Sequence, residues 1–145
     1  MKQTASAIWS GDLKHGSGAL STHTGALKET PYSFATRFES AKGTNPEELI
    51  AAAHAGCFTM ALSASLASAG FTAKRLATSA TVTLEQVSGN WTITTSHLEH
   101  EAWIPGITPE KFDQIAADAK ANCPVSRLLR AEVSLHAKLM GGDAH

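Results

Sequence analysis

The chain has 145 residues, a formal net charge of −1 and a hydrophobic content of 43%. This length is typical of one domain, so we expect residues 1–145 to fold as a single domain. A charge this close to zero, without a basic stripe, argues against nucleic acid or an anionic membrane as the main partner. Residues 1–9 have no signal-peptide pattern, and the apolar run 49–62 is shorter than the roughly 20 residues that span a bilayer, so we expect a cytoplasmic protein.

The first forty residues predict short strands separated by turns that contain glycine. Within residues 31–39, successive side chains alternate between an aromatic face and a more polar one. Tyr32, Phe34 and Phe38 fall on one face of this segment, and Arg37 falls on the opposite, more polar face. The alternation predicts a half-buried strand from which Arg37 projects.

A long helix is predicted to begin next to the Asn-Pro-Glu-Glu sequence at residues 45–48. In one register Asn45 is the N-cap and Glu48 is the third helical residue. In the other register Thr44 is the N-cap and Glu47 is the third residue. The sequence leaves both registers open.

The same helix is predicted to end near Ala69, since Gly70 is a typical C-terminal stop. Its middle is apolar on nearly every side, so most of its surface should be covered. One sheet from so short a chain would not cover it. We therefore infer a homodimer that shares its core.

The rest of the chain predicts strands and helices in turn. A hairpin signal at residues 88–90 joins strands at 76–87 and 91–104, a helix opens at Pro109, and a last alternating strand covers 131–139. This order predicts an α+β fold in which antiparallel β-sheets surround a central buried helix.

Cys57 lies in the apolar stretch of the long helix. The thiolate is the reactive form of cysteine, and an apolar environment raises the thiol pKa, so a reactive Cys57 needs a nearby cation. His54, one turn earlier, and Arg37 are the two candidates. A buried arginine needs a carboxylate, and Glu47 and Glu48 are both available. The alternative is that Cys57 is an inert core residue.

Cys123 is the second cysteine, and Pro124 follows it. This N-cap-like position favours a thiolate because backbone N–H groups and the helix dipole point toward it. The residue could also simply fill a turn. On these grounds Cys123 could be the attacking thiol and Cys57 its partner, and the sequence does not fix their distance.

Two other chemistries use the same residues. His54, Cys57 and Cys123 could form a metal-binding or redox-sensing module, with His97 or His100 as a further ligand, although no Cys-x-x-Cys spacing supports it. A cysteine hydrolase would pair Cys57 with His54, but no orienting Asn or Asp stands in an evident motif.

Four segments of the chain carry a family resemblance. They are the run 44–62, which contains an Asn-Pro-Glu sequence and a Cys-Phe sequence, and the shorter motifs 9–12, 36–38 and 122–126. In these segments the chain resembles the osmotically inducible protein C and organic hydroperoxide resistance protein family, over essentially its whole length. The Cys-Pro-Val-Ser motif and the Trp-Ser-Gly-Asp opening are more similar to the osmotically inducible branch.

The resemblance implies a thiol-dependent peroxidase that reduces organic hydroperoxides, and hydrogen peroxide less efficiently, in oxidative and osmotic stress defence. By motif position, Cys57 matches the family's peroxidatic cysteine and Cys123 the resolving one. Arg37 matches its active-site arginine, and Glu47 matches the carboxylate partner of that arginine.

The resemblance also implies an intertwined homodimer and a reaction without metal or cofactor. Cys57 would become a sulfenic acid and then form a disulfide with Cys123. A dithiol reductant, of lipoyl type or a small thiol, would restore both thiols by exchange.

Overall fold

The computed structural model describes residues 1–143. The chain forms two compact units, Met1–Leu49 and the chain from Ile50 onward. The single domain stays a prediction.

The first unit contains a three-stranded antiparallel sheet in the order β1-β2-β3. Its strands are β1 (Ala5–Ser10), β2 (Ser17–Thr22) and β3 (Thr30–Tyr32). Gly18 of β2 pairs with Trp9 on one side and Tyr32 on the other. A Cβ at Gly18 would lie 2.5 Å from the Tyr32 ring and 2.6 Å from the Trp9 ring. Glycine is therefore required where these two aromatic rings meet.

The predicted strand at 31–39 is wrong beyond Tyr32. The chain instead forms a short helix, α1 (Phe34–Phe38). The cause is a capping box: the Thr36 N–H donates to Ser33 Oγ over 3.2 Å, and the Ser33 N–H donates to Thr36 Oγ1 over 2.9 Å. Arg37 consequently projects from the last turn of a helix.

The long helix α2 covers Pro46–Ser68. The Glu48 N–H donates to Asn45 Oδ1 over 2.8 Å, so Asn45 is the N-cap and the first of the two predicted registers is correct. At the other end Gly70 has a φ of +86°, and the Phe71 N–H donates to the Leu66 carbonyl over 2.9 Å. The predicted glycine stop is confirmed.

Helix α2 buries one face within a single chain. The buried residues at helical spacing from the middle of the helix onward are His54, Phe58, Leu62 and Leu66. The opposite face is exposed and consists mostly of small residues: Ala53, Gly56, Met60, Ala64 and Ala67. The predicted cover on most sides is thus not provided by one chain.

Helix α2 has 23 residues and is therefore longer than the apolar run 49–62 that it contains. By length and composition alone the helix could cross a membrane, a test that the core helix of a soluble protein also passes.

The second unit contains the sheet β4-β5-β6. Strands β4 (Arg75–Val87) and β5 (Asn90–Trp103) form the predicted antiparallel hairpin. Its turn residues Ser88 and Gly89 both have positive φ, at 51° and 80°. Strand β6 (Glu132–Gly141) pairs with β5 in parallel, so the expectation of purely antiparallel sheets is wrong for this pair. A parallel partner needs a crossover connection, and the chain between β5 and β6 supplies it.

This crossover contains the helices α3 (Pro109–Asn122) and α4 (Pro124–Leu128). The α3 residues at helical spacing are buried against the core: Phe112, Ile115, Ala116 and Ala119. They pack in one cluster with Phe58, Leu62 and Leu66 of α2 and Leu98 of β5. The α+β class is confirmed.

Candidate active site

In the first unit, Arg37 and Glu47 form an ion pair with several hydrogen bonds. Nη2 of Arg37 donates to Glu47 Oε1 over 2.7 Å, and Nε lies 3.2 Å and 3.3 Å from the two carboxylate oxygens. The Glu47 side chain is only 10% exposed, whereas that of Arg37 is 38% exposed. The carboxylate therefore fixes the plane of the guanidinium while leaving the charge open to solvent.

Glu48 has a different partner. Its carboxylate accepts a hydrogen bond from the Thr44 hydroxyl over 2.9 Å, at the start of α2. Of the two glutamates left open by the physical argument, Glu47 is the one that contacts Arg37.

A cavity of about 220 Å³ lies beside Arg37 in the first unit. Aromatic and aliphatic side chains make up most of its lining, which consists of Trp9, Leu13, Tyr32, Ser33, Phe34, Arg37 and Phe38. The guanidinium carbon lies 5.4 Å from the centre of the Phe38 ring. One fixed cation in an apolar lining suits a ligand that is mostly apolar and carries one polar end.

In the second unit, Cys57 packs against the apolar core cluster that contains Cys123. Cys57 lies half-buried on α2, and Cys123 is fully buried at the junction of α3 and α4. Burial raises the pKa of the Cys57 thiol, and the neighbouring Cys123 thiol raises it further.

The pKa of Cys123 shifts in the opposite direction to that of Cys57. Burial opposes its thiolate, but the nearby polar groups of Ser126 and the neighbouring Cys57 thiol outweigh this effect and lower the Cys123 pKa. The residue is the N-cap of α4, as the sequence suggested, although its side chain makes no capping hydrogen bond.

Of the two candidate cations for Cys57, His54 is not a cation near pH 7. Its ring is fully buried, and burial lowers its pKa, so it is neutral near pH 7. Nδ1 lies 2.6 Å from Ser96 Oγ, and Nε2 lies 2.8 Å from Ser126 Oγ. The sequence analysis missed both serines. Ser126 is part of the Cys-Pro-Val-Ser motif and could have been found there, whereas nothing in the local sequence marks Ser96.

The metal-binding alternative is not supported. His97 contacts Ser134 and Glu99, and Nδ1 of His100 lies 2.7 Å from Thr78 Oγ1. Within residues 1–143, no group of three or more His, Cys, Asp or Glu side chains is arranged to hold a metal ion. The hydrolase alternative also loses support, because both ring nitrogens of His54 contact serine hydroxyls.

The structure thus brings together two of the predicted pairs, Arg37 with Glu47 and Cys57 with Cys123.

Comparison with known proteins identifies the family of this chain. Residues 39–138 match the model of the OsmC-like protein family. The chain belongs to this family. It is 52% identical over 133 residues to proteins named Peroxiredoxin OsmC from Escherichia coli and Shigella flexneri, covering 92% of this chain and 93% of each relative.

Solved structures of two other proteins have the same fold. An organic hydroperoxide resistance protein from Elizabethkingia anophelis superposes with a TM-score of 0.73 at 24% identity, covering 97% of this chain and 98% of that one. The organic hydroperoxide resistance protein OhrB of Bacillus subtilis gives a TM-score of 0.71 at 24% identity, with coverage of 94% and 97%.

Proposed function

We propose that this chain is a cysteine-based peroxidase that reduces organic hydroperoxides to alcohols. The observation that carries the proposal is that both cysteines, Cys57 and Cys123, belong to the same part of the apolar core, in a chain 52% identical to proteins named Peroxiredoxin OsmC. Two neighbouring thiols supply, when they form a disulfide, the two electrons that reduce a peroxide bond.

The reaction has two steps. The Cys57 thiolate attacks one peroxide oxygen, the O–O bond breaks, and an alcohol leaves after taking up a proton. Cys57 is then a sulfenic acid. Cys123 attacks its sulfur, water leaves, and a Cys57–Cys123 disulfide forms. A dithiol, of lipoyl type or a small thiol, returns the pair to the reduced state by exchange.

Arg37 and Glu47 receive their roles from motif position. The pKa of Cys57 lies above its ordinary value, so its thiolate needs a positive charge. We assign that charge to Arg37, which also polarises the peroxide, and Glu47 holds the guanidinium in one orientation. The bidentate contact supports this division of roles.

An organic peroxide fits better than hydrogen peroxide. The 220 Å³ cavity beside Arg37 is lined mainly by aromatic rings, so an alkyl or aryl group gains free energy by entering it. Hydrogen peroxide has no such group, and we propose that it reacts less efficiently.

The working form is a cytoplasmic homodimer with a role in the defence against oxidative and osmotic stress. The exposed face of α2 supports the dimer, since it presents a row of small residues and Met60, whose side chain is 77% exposed. Small side chains allow two helices to approach closely along such a face.

The experiment that tests the peroxidase is an anaerobic thiol titration before and after one equivalent of cumene hydroperoxide. Wild-type protein should lose both thiols and regain them with a dithiol. Cys57→Ser should lose none. Cys123→Ser should lose its remaining thiol to a sulfenic acid that dimedone traps. Retention of both thiols by the wild type would refute the peroxidase.

A comparison of rates tests the substrate class. Cumene hydroperoxide should react faster than hydrogen peroxide at equal concentration, and Phe34→Ala should reduce the difference because it removes one ring from the cavity lining. Equal rates in the wild type would contradict the proposed preference.

A further inference from the structure

Ser33 stands beside Arg37 in the lining of the 220 Å³ cavity of the first unit. Ser33 is half-buried and is the N-cap of α1, and Arg37 comes four residues later in the same short helix. The Arg37 N–H donates to the Ser33 carbonyl over 3.2 Å, so the backbone fixes the spacing of the two residues. Their side chains therefore reach the same cavity from one helical turn.

The Ser33 hydroxyl keeps a proton to donate. Its oxygen accepts a hydrogen bond from the Thr36 N–H over 3.2 Å, and no group within residues 1–143 accepts its proton. A serine hydroxyl can accept two hydrogen bonds and donate one, so capping α1 uses an acceptor position only. The donor remains available to a ligand in the cavity.

The guanidinium of Arg37 keeps a donor in the same way. Glu47 occupies Nε and Nη2, whereas Nη1 makes no hydrogen bond within residues 1–143. The indole N–H of Trp9, also in the lining, is already used, since it donates to the Gly11 carbonyl over 3.1 Å. A ligand in this cavity thus meets donors from both Ser33 and Arg37 and has to bring an acceptor oxygen.

We propose that Ser33 is a further catalytic residue, whose hydroxyl donates a hydrogen bond to the oxygen that leaves when the peroxide bond breaks. This inference rests on the proposed function. In that step the Cys57 thiolate attacks the terminal oxygen of the hydroperoxide, an S–O bond forms and the O–O bond breaks. The Cys57 sulfur is oxidised and the peroxide is reduced. The other oxygen leaves as an alkoxide and takes a proton from water.

The position of Ser33 suits the leaving oxygen because that oxygen carries the alkyl or aryl group. A hydroperoxide whose apolar group enters the cavity brings the attached oxygen to the cavity lining. This oxygen is neutral in the substrate and gains negative charge as the O–O bond breaks. Hydrogen bonds to a charged oxygen are roughly twice as strong as those to a neutral one, so the donor stabilises the transition state more than the substrate.

The first test varies the leaving oxygen in single-turnover measurements of Cys57 oxidation. Cumene hydroperoxide releases a strongly basic alkoxide, whereas peroxybenzoic acid releases a weakly basic carboxylate. Ser33→Ala should slow the reaction of cumene hydroperoxide by about tenfold or more and that of peroxybenzoic acid much less. Ser33→Thr keeps both the cap and the hydroxyl and should restore the rate. Equal slowing with the two substrates, or no slowing, overturns the proposal.

Three variants separate this role from helix capping and from the other hydroxyl in the lining. Thr36→Val removes the acceptor of the Ser33 N–H but keeps the Ser33 hydroxyl, so it should change both rates by the same factor. Ser21→Ala removes a half-buried serine outside the lining that also accepts a backbone N–H, and should change neither rate. Tyr32→Phe should not slow cumene hydroperoxide selectively. Selective slowing in Thr36→Val or Tyr32→Phe would contradict the assignment to Ser33.

Binding of the alcohol product tests the Ser33 donor without the reaction. The NMR signal of the Trp9 indole N–H, whose ring lines the cavity, is followed during titration with 2-phenyl-2-propanol. Ser33→Ala should weaken binding by about threefold to tenfold, since it removes one neutral hydrogen bond. Tert-butylbenzene has no oxygen and should bind equally to both proteins. Equal weakening for the two ligands, or no binding of the alcohol, refutes the donor role.

The two measurements distinguish failure of this inference from failure of the peroxidase. If cumene hydroperoxide does not oxidise Cys57 in the wild type, the proposed function fails, and the product titration still decides whether Ser33 donates to an oxygen in the cavity. Circular dichroism checks that each variant is folded. Ser33→Gly, which lacks the hydroxyl but is tolerated at an N-cap, replaces Ser33→Ala if that variant does not fold.

Discussion

Both carboxylate oxygens of Glu47 contact the guanidinium of Arg37, and the shortest separation is 2.7 Å, between Oε1 and Nη2. The contact joins the last turn of α1 to the first turn of α2. It uses the Nε and Nη2 edge of the guanidinium, a planar geometry that a lysine ammonium cannot reproduce.

We therefore expect Arg37→Lys and Glu47→Gln each to lower the initial rate with cumene hydroperoxide by about tenfold or more. The reason is that a hydrogen bond between charged groups contributes about 1.5–3 kcal/mol. The measurement is the consumption of hydroperoxide by a fixed amount of reduced protein. Arg75→Lys is the matched control, because Arg75 also carries an exposed charge over an aromatic ring, that of Trp103. A wild-type rate in Arg37→Lys would show that a positive charge supports the reaction without the planar geometry of the guanidinium.

His100 predicts how stability depends on pH. The ring is 1% exposed, Nδ1 contacts Thr78, and Nε2 has no hydrogen-bond partner among residues 1–143. Burial lowers the pKa of His100 from 6.5 to about 4. Between these two pH values the unfolded chain binds more protons, so the free energy of unfolding falls as the pH falls from 6.5 to 4.

The loss attributable to His100 should be roughly 3 kcal/mol, since one pKa unit corresponds to about 1.4 kcal/mol. Urea denaturation at several pH values and one protein concentration measures it. His100→Gln should flatten the pH dependence, leaving the contribution of His54, which has the same sign. His23→Gln changes an exposed histidine and serves as the control. An unchanged slope in His100→Gln would contradict the assignment.

The exposed face of α2 predicts a dimer in solution. Sedimentation equilibrium should give twice the chain mass for the wild type. Met60→Lys should weaken the dimer because it places a charge in an apolar contact. Leu128→Lys is a matched control, since Leu128 is 76% exposed and Met60 is 77% exposed. A monomeric wild type, or equal effects of the two substitutions, would refute the proposed interface.

Asn45 has two roles that substitutions can separate. Its Oδ1 caps α2, and its Nδ2 donates to the Thr36 carbonyl over 3.0 Å. Asn45→Ala should lower the free energy of unfolding by about 1–2 kcal/mol, as the loss of an N-cap does. Asn45→Asp keeps the cap and loses the second bond, so it should cost less. Thermal unfolding compares them, and an equal cost for the two variants would show that the cap contributes little.

Local signals allowed much of this fold to be predicted. The Asn-Pro pair before α2, Gly70 after it and Gly89 in the hairpin each act through nearby backbone, so the sequence around them is enough. The strand predicted around Arg37 failed because alternating aromatics are also compatible with a single helical turn, and the capping box of Ser33 and Thr36 decided in favour of the helix.

The residues around Cys123 were harder to predict because they come from distant parts of the chain. His54 meets Ser96 across 42 residues and Ser126 across 72. No spacing rule covers such contacts, since they depend on the parallel pairing of β5 and β6 and on the crossover between them. The family resemblance identified the two cysteines but gave no indication of a histidine behind them.

The crossover also affects how the proposed peroxidase would be inactivated. Cys123 and Ser126 are held by α4, a helix of only five residues, whereas Cys57 lies on a helix of 23. Short segments with few buried contacts open locally at a small fraction of the cost of global unfolding. Each opening would leave an oxidised Cys57 without its partner and exposed to a second peroxide, which converts a sulfenic acid irreversibly to a sulfinic acid. The working lifetime of the protein under peroxide would then depend on how often α4 opens, well before the fold itself is lost.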